Sequence, residues 1–142
     1  MYKGEPTKGL EFYNLLNESE KFTCELGKVA LASGRLEAEL ILFLKRREIK
    51  GKYDKATLGT LIDLADKNDL IDKNMRMSLK TISKQRNYIT HNIYGLFIDL
   101  IDETILEKEN LLDTDVILYI DRAWELKENL DGLADIFQRN NK

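Results

Sequence analysis

The sequence predicts an all-α fold, a bundle of four or five helices, and three observations carry that expectation. Gly and Pro are scarce, at 8 and 1 of 142 residues, so the chain lacks the punctuation that many short strands require. Apolar residues recur at i, i+3 and i+4 along most of its length. No stretch alternates with period two over the length of a strand. Hydrophobic residues make up 43% and charged residues 33%, which excludes a disordered, collagen-like or low-complexity chain. A chain of this size buries roughly two-thirds of the surface it exposes unfolded, so residues 1–142 read as one domain with one core. Residues 1–18 form a short helix or a flexible N-terminal segment.

The elements follow in order. Thr7, after Pro6, opens a short helix reaching Leu16, with Leu10, Tyr13 and Leu16 or Phe12 turned inward. A long helix runs from about Glu20 to Ile49, with Asn17 and Glu20 spaced as a capping box and Gly51 as its stop. A shorter helix spans Thr57 to Lys67 and carries Leu58, Leu61, Ile62 and Ala65. The next opens near Asp69 or Asp72 and continues through Met75, Leu79, Ile82 and Ile89 towards His91. Between Gly95 and Leu112 the pattern is ambiguous, because Phe97, Leu100, Ile101, Ile105 and Leu106 are interrupted by carboxylates. The last helix starts at Asp113 or Thr114 and reaches about Phe137. Its inward residues are Val116, Ile120, Ala123, Trp124, Leu130, Ala134 and Phe137.

The long helix has two apolar faces when its residues are placed at about 100° each. Phe22, Leu26, Val29, Leu36, Leu40, Phe43 and Leu44 form the main stripe. Gly27, Leu31, Gly34, Ala38 and Leu42 form a second, small enough for another backbone to approach closely. Either this helix is surrounded within its own bundle or its second face meets another copy of the protein. Cys24 lies at the edge of that second face and reads as packing.

The longest apolar run, Leu40 to Leu44, is far short of the ~20 residues that span a bilayer, and residues 1–10 hold no apolar signal region. A cytoplasmic protein is expected. One cysteine and one histidine exclude a disulfide framework and an all-protein zinc site. No cofactor is expected: the chain has no phosphate loop, dinucleotide fingerprint or nucleophile elbow. The carboxylates at Asp63, Asp66, Asp69 and Asp72, and at Asp99, Asp102 and Glu103, read as caps and solvated faces. The net charge of −3 provides no global field for nucleic acid, so any such contact uses a local patch.

That patch lies on the helix leading to His91. Lys73, Arg76, Lys80, Lys84, Asn87 and His91 follow at spacings of three and four and share one face within about 60°. Lys73, Arg76, Lys80 and Lys84 are the candidate nucleic-acid phosphate contacts, weighed against an ordinary solvated face. Lys45, Arg46, Arg47, Lys50 and Lys52 would extend the surface if the two clusters are neighbours. Arg86 falls about 140° from His91, on the apolar side beside Leu79, Ile82 and Ile93. A guanidinium there must pair with a carboxylate, reach past the helix end, or meet a polar ligand or another subunit.

The string Gln85-Arg86-Asn87-Tyr88-Ile89-Thr90-His91-Asn92 resembles the R-x(4 to 6)-H signature of the HEPN superfamily, small all-helical domains in which a polar residue commonly follows the arginine. The wider layout is similar over about Glu20 to Phe137: a long helix, a shorter one containing Leu58-Gly59-Thr60-Leu61, and the motif late in the next. The region from Leu31 to Asn92 also resembles mannitol-repressor-type helical proteins, which share the layout without necessarily sharing nuclease activity.

The HEPN resemblance implies metal-independent RNA cleavage by a symmetric dimer, with Arg86 and His91 of both subunits lining a composite cleft. The residue types suit it. An imidazole, with an ordinary pKa near ~6.5, can take a proton from a ribose 2′-hydroxyl and return one to the leaving 5′-oxygen. An arginine can hold the phosphate and stabilise charge on its non-bridging oxygens. Asn87, one turn before His91, would orient the imidazole or bind phosphate. In the toxin branch that accompanies small nucleotidyltransferase antitoxins, a tyrosine follows the histidine by two residues. Here Tyr94 follows by three, one helical step that still places it near His91 as a supporting group. The resemblance thus implies a toxin or phage-defence effector, with RNA, a second copy and an antitoxin or regulatory protein as partners. The alternative is a non-catalytic interaction module of the same architecture, in which Arg86 pairs with a carboxylate. A helix-turn-helix formed by Thr57 to Lys67 and the basic helix fits an acidic protein less well.

Overall fold

The computed structural model describes residues 9–91 and 113–142, with side chains at 14–90 and 116–142. Among the described residues there are five α-helices and no strand: α1 (Gly9–Glu18), α2 (Glu20–Arg46), α3 (Leu58–Lys67), α4 (Lys73–His91) and α5 (Asp113–Asn140). The expected all-α class is the one observed. The ambiguous stretch between Gly95 and Leu112 lies outside the described residues. No helix among those described is long and apolar enough to cross a membrane.

Local chemistry sets the helix ends, in places one or two residues from where the spacing suggests. α1 continues through Asn17, so the cap of α2 is Ser19, not Asn17. The Ser19 backbone is extended, and its hydroxyl accepts the Phe22 N–H at 3.1 Å. At the other end α2 stops at Arg46, before Ile49 and Gly51. The Ile49 N–H bonds back to the Leu44 carbonyl and the Glu48 N–H to Lys45, a Schellman closure with Glu48 at φ 59°. Asp69 repeats the device after α3, at φ 55°, with Leu70 bonding back to Ala65. Glu48 carries a Cβ in a conformation that glycine adopts without strain. Glu48→Gly is therefore expected to raise stability by about 1 kcal/mol in urea unfolding. α3 opens on Thr57, and at the start of α4 the Asp72 carboxylate accepts the Met75 N–H at 2.7 Å.

α2 and α5 run parallel along the main stripe of α2. Phe22 meets Tyr119 edge-on at 6.4 Å near one end, and Phe43 meets Phe137 edge-on at 4.9 Å near the other. Between them Arg35 reaches α5, donating to Asp135 at 2.6 Å and to Asp131 at 3.5 Å. The hydrogen bond to Asp135 leads in raising the Arg35 guanidinium above its ordinary pKa, and at this solvent-exposed position the pair adds no more than about 1 kcal/mol. α3 and α4 form an antiparallel hairpin, with Arg76 paired to Asp66 near its turn and Gly59 beside Ser83 further along.

Two assignments from the spacing are corrected. Trp124 is 51% exposed rather than core, and Cys24 is exposed rather than packed. The inward row of α5 is Tyr119, Ala123, Leu126, Leu130, Ala134 and Phe137, all buried. Trp124 lies about 140° from Tyr119 and about 20° from exposed Ile117, on the far side of the helix. On α2 the main stripe is buried or half-buried as its spacing predicts, while Gly27, Gly34, Ala38, Leu42 and Leu31, the last 77% exposed, face outward.

Candidate functional site

α4 carries the motif, and its apolar residues are placed as expected. Leu79, Ile82 and Ile89 are buried in the shared core, with Met75 packed against it. The opposite face is not a uniform basic stripe. Lys73 is exposed, and Arg76 is tied to the Asp66 carboxylate at 3.5 Å. Lys80, Lys84 and Asn87 instead converge with Ser83 on Gly59, Ile62 and Asp63 of α3, lining a cleft of about 220 Å³. The Lys84 ammonium also lies 5.8 Å from the centre of the Tyr88 ring. The basic cluster at the end of α2 is partly engaged elsewhere. Lys45 binds Asp54, whose hydrogen bond raises the ammonium above its ordinary pKa. Arg47 folds back over the Phe43 ring and donates to the Phe43 carbonyl at 3.1 Å.

Arg86 is half-buried on the side of α4 that turns towards the core. Its Nε is sealed from solvent and has no hydrogen-bond partner, and no carboxylate among the described residues forms an ion pair with it. Arg86 does not line the α3–α4 cleft. It is also absent from the larger groove of about 750 Å³ between α4 and α5, whose walls include Met77, Gln85, Gly132 and Arg139. One turn further on, the Thr90 hydroxyl bonds back to the carbonyls of Arg86 at 2.9 Å and Asn87 at 3.4 Å. Such back-bonding by a threonine bends a helix slightly. His91 is the last residue of α4, and its side chain, like all of Ile93 and Tyr94, lies outside the described residues.

The cleft therefore brings together Lys80, Lys84 and Asn87 from the sequence-derived set, leaves Lys73 and Arg76 outside, and adds Ser83 and Gly59. The signal for Ser83 lay in the spacing: residues 80, 83, 84 and 87 follow the i, i+3, i+4, i+7 pattern of a single face. Among the described residues no group of three or more His, Cys, Asp or Glu side chains is placed to hold a metal ion. No protein-family model matches the chain, and no curated protein or solved structure matches it either.

Proposed function

We propose that this protein is a metal-independent endoribonuclease of the HEPN type, acting as a homodimer. The observation that supports this reading best is Arg86: a half-buried guanidinium whose Nε lacks a partner among the described residues. Burying a polar nitrogen unpaired costs about 1–3 kcal/mol, and more for a charged group. A guanidinium retained at that cost suits a ligand that completes it, and a phosphate presents the matching pair of acceptors. In the proposed reaction His91 takes the proton of a ribose 2′-hydroxyl. The 2′-oxygen attacks the adjacent phosphorus, the bond to the 5′-oxygen breaks, and a proton is returned to that oxygen. Arg86 stabilises the charge on the non-bridging oxygens, with Asn87 and Tyr94 in supporting positions and Lys80 and Lys84 on the flanking backbone. The products are a 2′,3′-cyclic phosphate and a 5′-hydroxyl. Such an activity inside a cell is that of a toxin or defence effector restrained by an antitoxin or regulatory partner.

The reading is tested by incubating the protein with labelled single-stranded RNA and transfer RNA in EDTA. Chelator-resistant cutting that leaves cyclic phosphate ends is the expected result. Intact RNA from a folded dimer transfers the assignment to the non-catalytic interaction module. For the dimer, the outward face of α2 is the proposed contact. It offers Leu31 at 77% exposure between Gly27 and Gly34, each with open space where a Cβ would stand. Leu31→Arg is expected to give a monomer by analytical ultracentrifugation, with folding stability within about 0.5 kcal/mol of the parent. A dimer that persists in this variant removes α2 as the interface.

A further inference from the structure

We infer that the end of α2 and the loop leading to α3, positions 45–55, form the surface that holds the phosphodiester backbone of a single-stranded RNA, an inference that rests on the ribonuclease reading above. These positions carry six cationic residues against Glu48 and Asp54, an excess of four positive charges in a chain whose net charge is −3. Lys45 is held by Asp54, and Arg47 lies over the Phe43 ring. Arg46, Lys50, Lys52 and Lys55 are exposed, and none of them meets a carboxylate among the described residues. Elsewhere Lys28, Arg35, Arg76 and Lys127 each do. Like charges left together without counter-ions repel one another, and a polyanion that takes the place of their mobile ions relieves that repulsion.

The loop differs from an ordinary solvated charge run in being fixed. Tyr53 is only 4% exposed, and its hydroxyl donates to the Ile49 carbonyl at 2.7 Å. Gly51, at φ 140°, lays its backbone against the Tyr53 ring, where a Cβ would come within 3.4 Å. The Ile49 N–H closes onto Leu44, and the Ala56 N–H onto Tyr53. Cations on such a frame lose less conformational entropy on binding than the same cations on a tail. The apolar residues of the loop, Ile49, Tyr53 and Ala56, turn to the core. That arrangement disfavours a lipid surface, which binds through an apolar face set into the headgroups as well as through charge. The loop also leads to the motif. Lys55 is four residues, at most about 14 Å of chain, before Gly59, which stands beside Ser83 on α4, and Arg86 follows Ser83 by one turn. A strand lying on the loop therefore runs towards Arg86.

The experiment measures, by fluorescence anisotropy at several salt concentrations, the binding of a labelled 2′-O-methyl RNA, which lacks the 2′-hydroxyl needed for cleavage. Four backbone contacts give an expected slope of log affinity against log salt of about −3. Lys50→Gln combined with Lys52→Gln is expected to make the slope shallower by about 1.4 and to weaken binding about ten-fold at physiological salt. Its melting temperature is expected to be unchanged, since neither side chain has a carboxylate partner among the described residues. Lys21→Gln combined with Lys67→Gln removes the same charge from exposed positions outside the loop and is expected to leave the slope as it was. Parent-like binding by the loop variant, or an equal loss in the control, overturns the surface even if unmodified RNA is cut. Tighter binding to phosphatidylserine vesicles than to RNA, lost in the loop variant, overturns the assignment to RNA. Loop-dependent binding of an RNA whose unmodified form survives incubation supports the surface and overturns the ribonuclease reading alone.

Discussion

Arg86→Ala is expected to lower RNA cleavage by about 10²- to 10³-fold without loss of folding stability. The size follows from removing one preorganised charge stabiliser from a transition state. The stability follows from the local structure. The Arg86 Nε has no hydrogen-bond partner, and no carboxylate among the described residues loses a counter-ion when the guanidinium is removed. Truncating a paired buried arginine instead costs about 3–5 kcal/mol, because it strands the partner charge. Activity and thermal melting measured together therefore separate the two roles. Lower activity with an unchanged or raised melting temperature marks a functional arginine, whereas a large fall in melting temperature marks a structural one. Arg86→Lys is not expected to restore activity, since an ammonium lacks the planar fork that engages two phosphate oxygens. His91→Ala is expected to lose about 10²- to 10⁴-fold, the range of general acid–base catalysis. Retained cleavage in either variant refutes that residue's role.

Phe137→Ala is expected to be the most damaging single truncation of the fold, at about 3–5 kcal/mol, or roughly 10–15 °C in melting temperature for a domain of this length. The ring is buried and stands edge-on to Phe43 at 4.9 Å, where α2 and α5 close on each other. Arg47 covers the same Phe43 ring at 3.5 Å, so the cavity left by Phe137 also loosens the end of α2. Trp124→Ala, although it removes the larger side chain, is expected to cost only about 1–2 kcal/mol because half of the indole is already in water. Calorimetry on the two variants checks the ordering. A Trp124 variant as damaged as the Phe137 variant places the indole in an interface.

Helix identity and the main packing faces were legible because they are local. The period of apolar residues on α2 and α4 specified which side chains share a face, and Thr57 and Asp72 marked helix starts through bonds spanning three residues. The cap of α2 was displaced because Asn17 and Ser19 are both good capping residues, and only the length of α1 chooses between them. Trp124 was misplaced for a related reason. Trp124 adjoins Ala123 and was read inward together with it, while the row beginning at Tyr119 takes in Ala123 and leaves the indole, about 100° further round the helix, outside. Of the candidate site, the residue types and their helical spacing were readable. The exclusion of Arg76 by Asp66 and the opening between Ser83 and Gly59 were not.

The sequence by itself determined the all-α class, the helix order, and the common face of Lys80, Lys84 and Asn87. Those follow from backbone geometry and from interactions within a few residues. Only the tertiary structure decided that α2 and α5 run parallel, that Leu31 and Trp124 face outward, and that Arg86 stands without a carboxylate among the described residues. The physical reason is that periodicity reports which residues lie on the same side of a helix. What covers that side, and which charge comes within reach of which, depends on the packing of segments far apart in the chain.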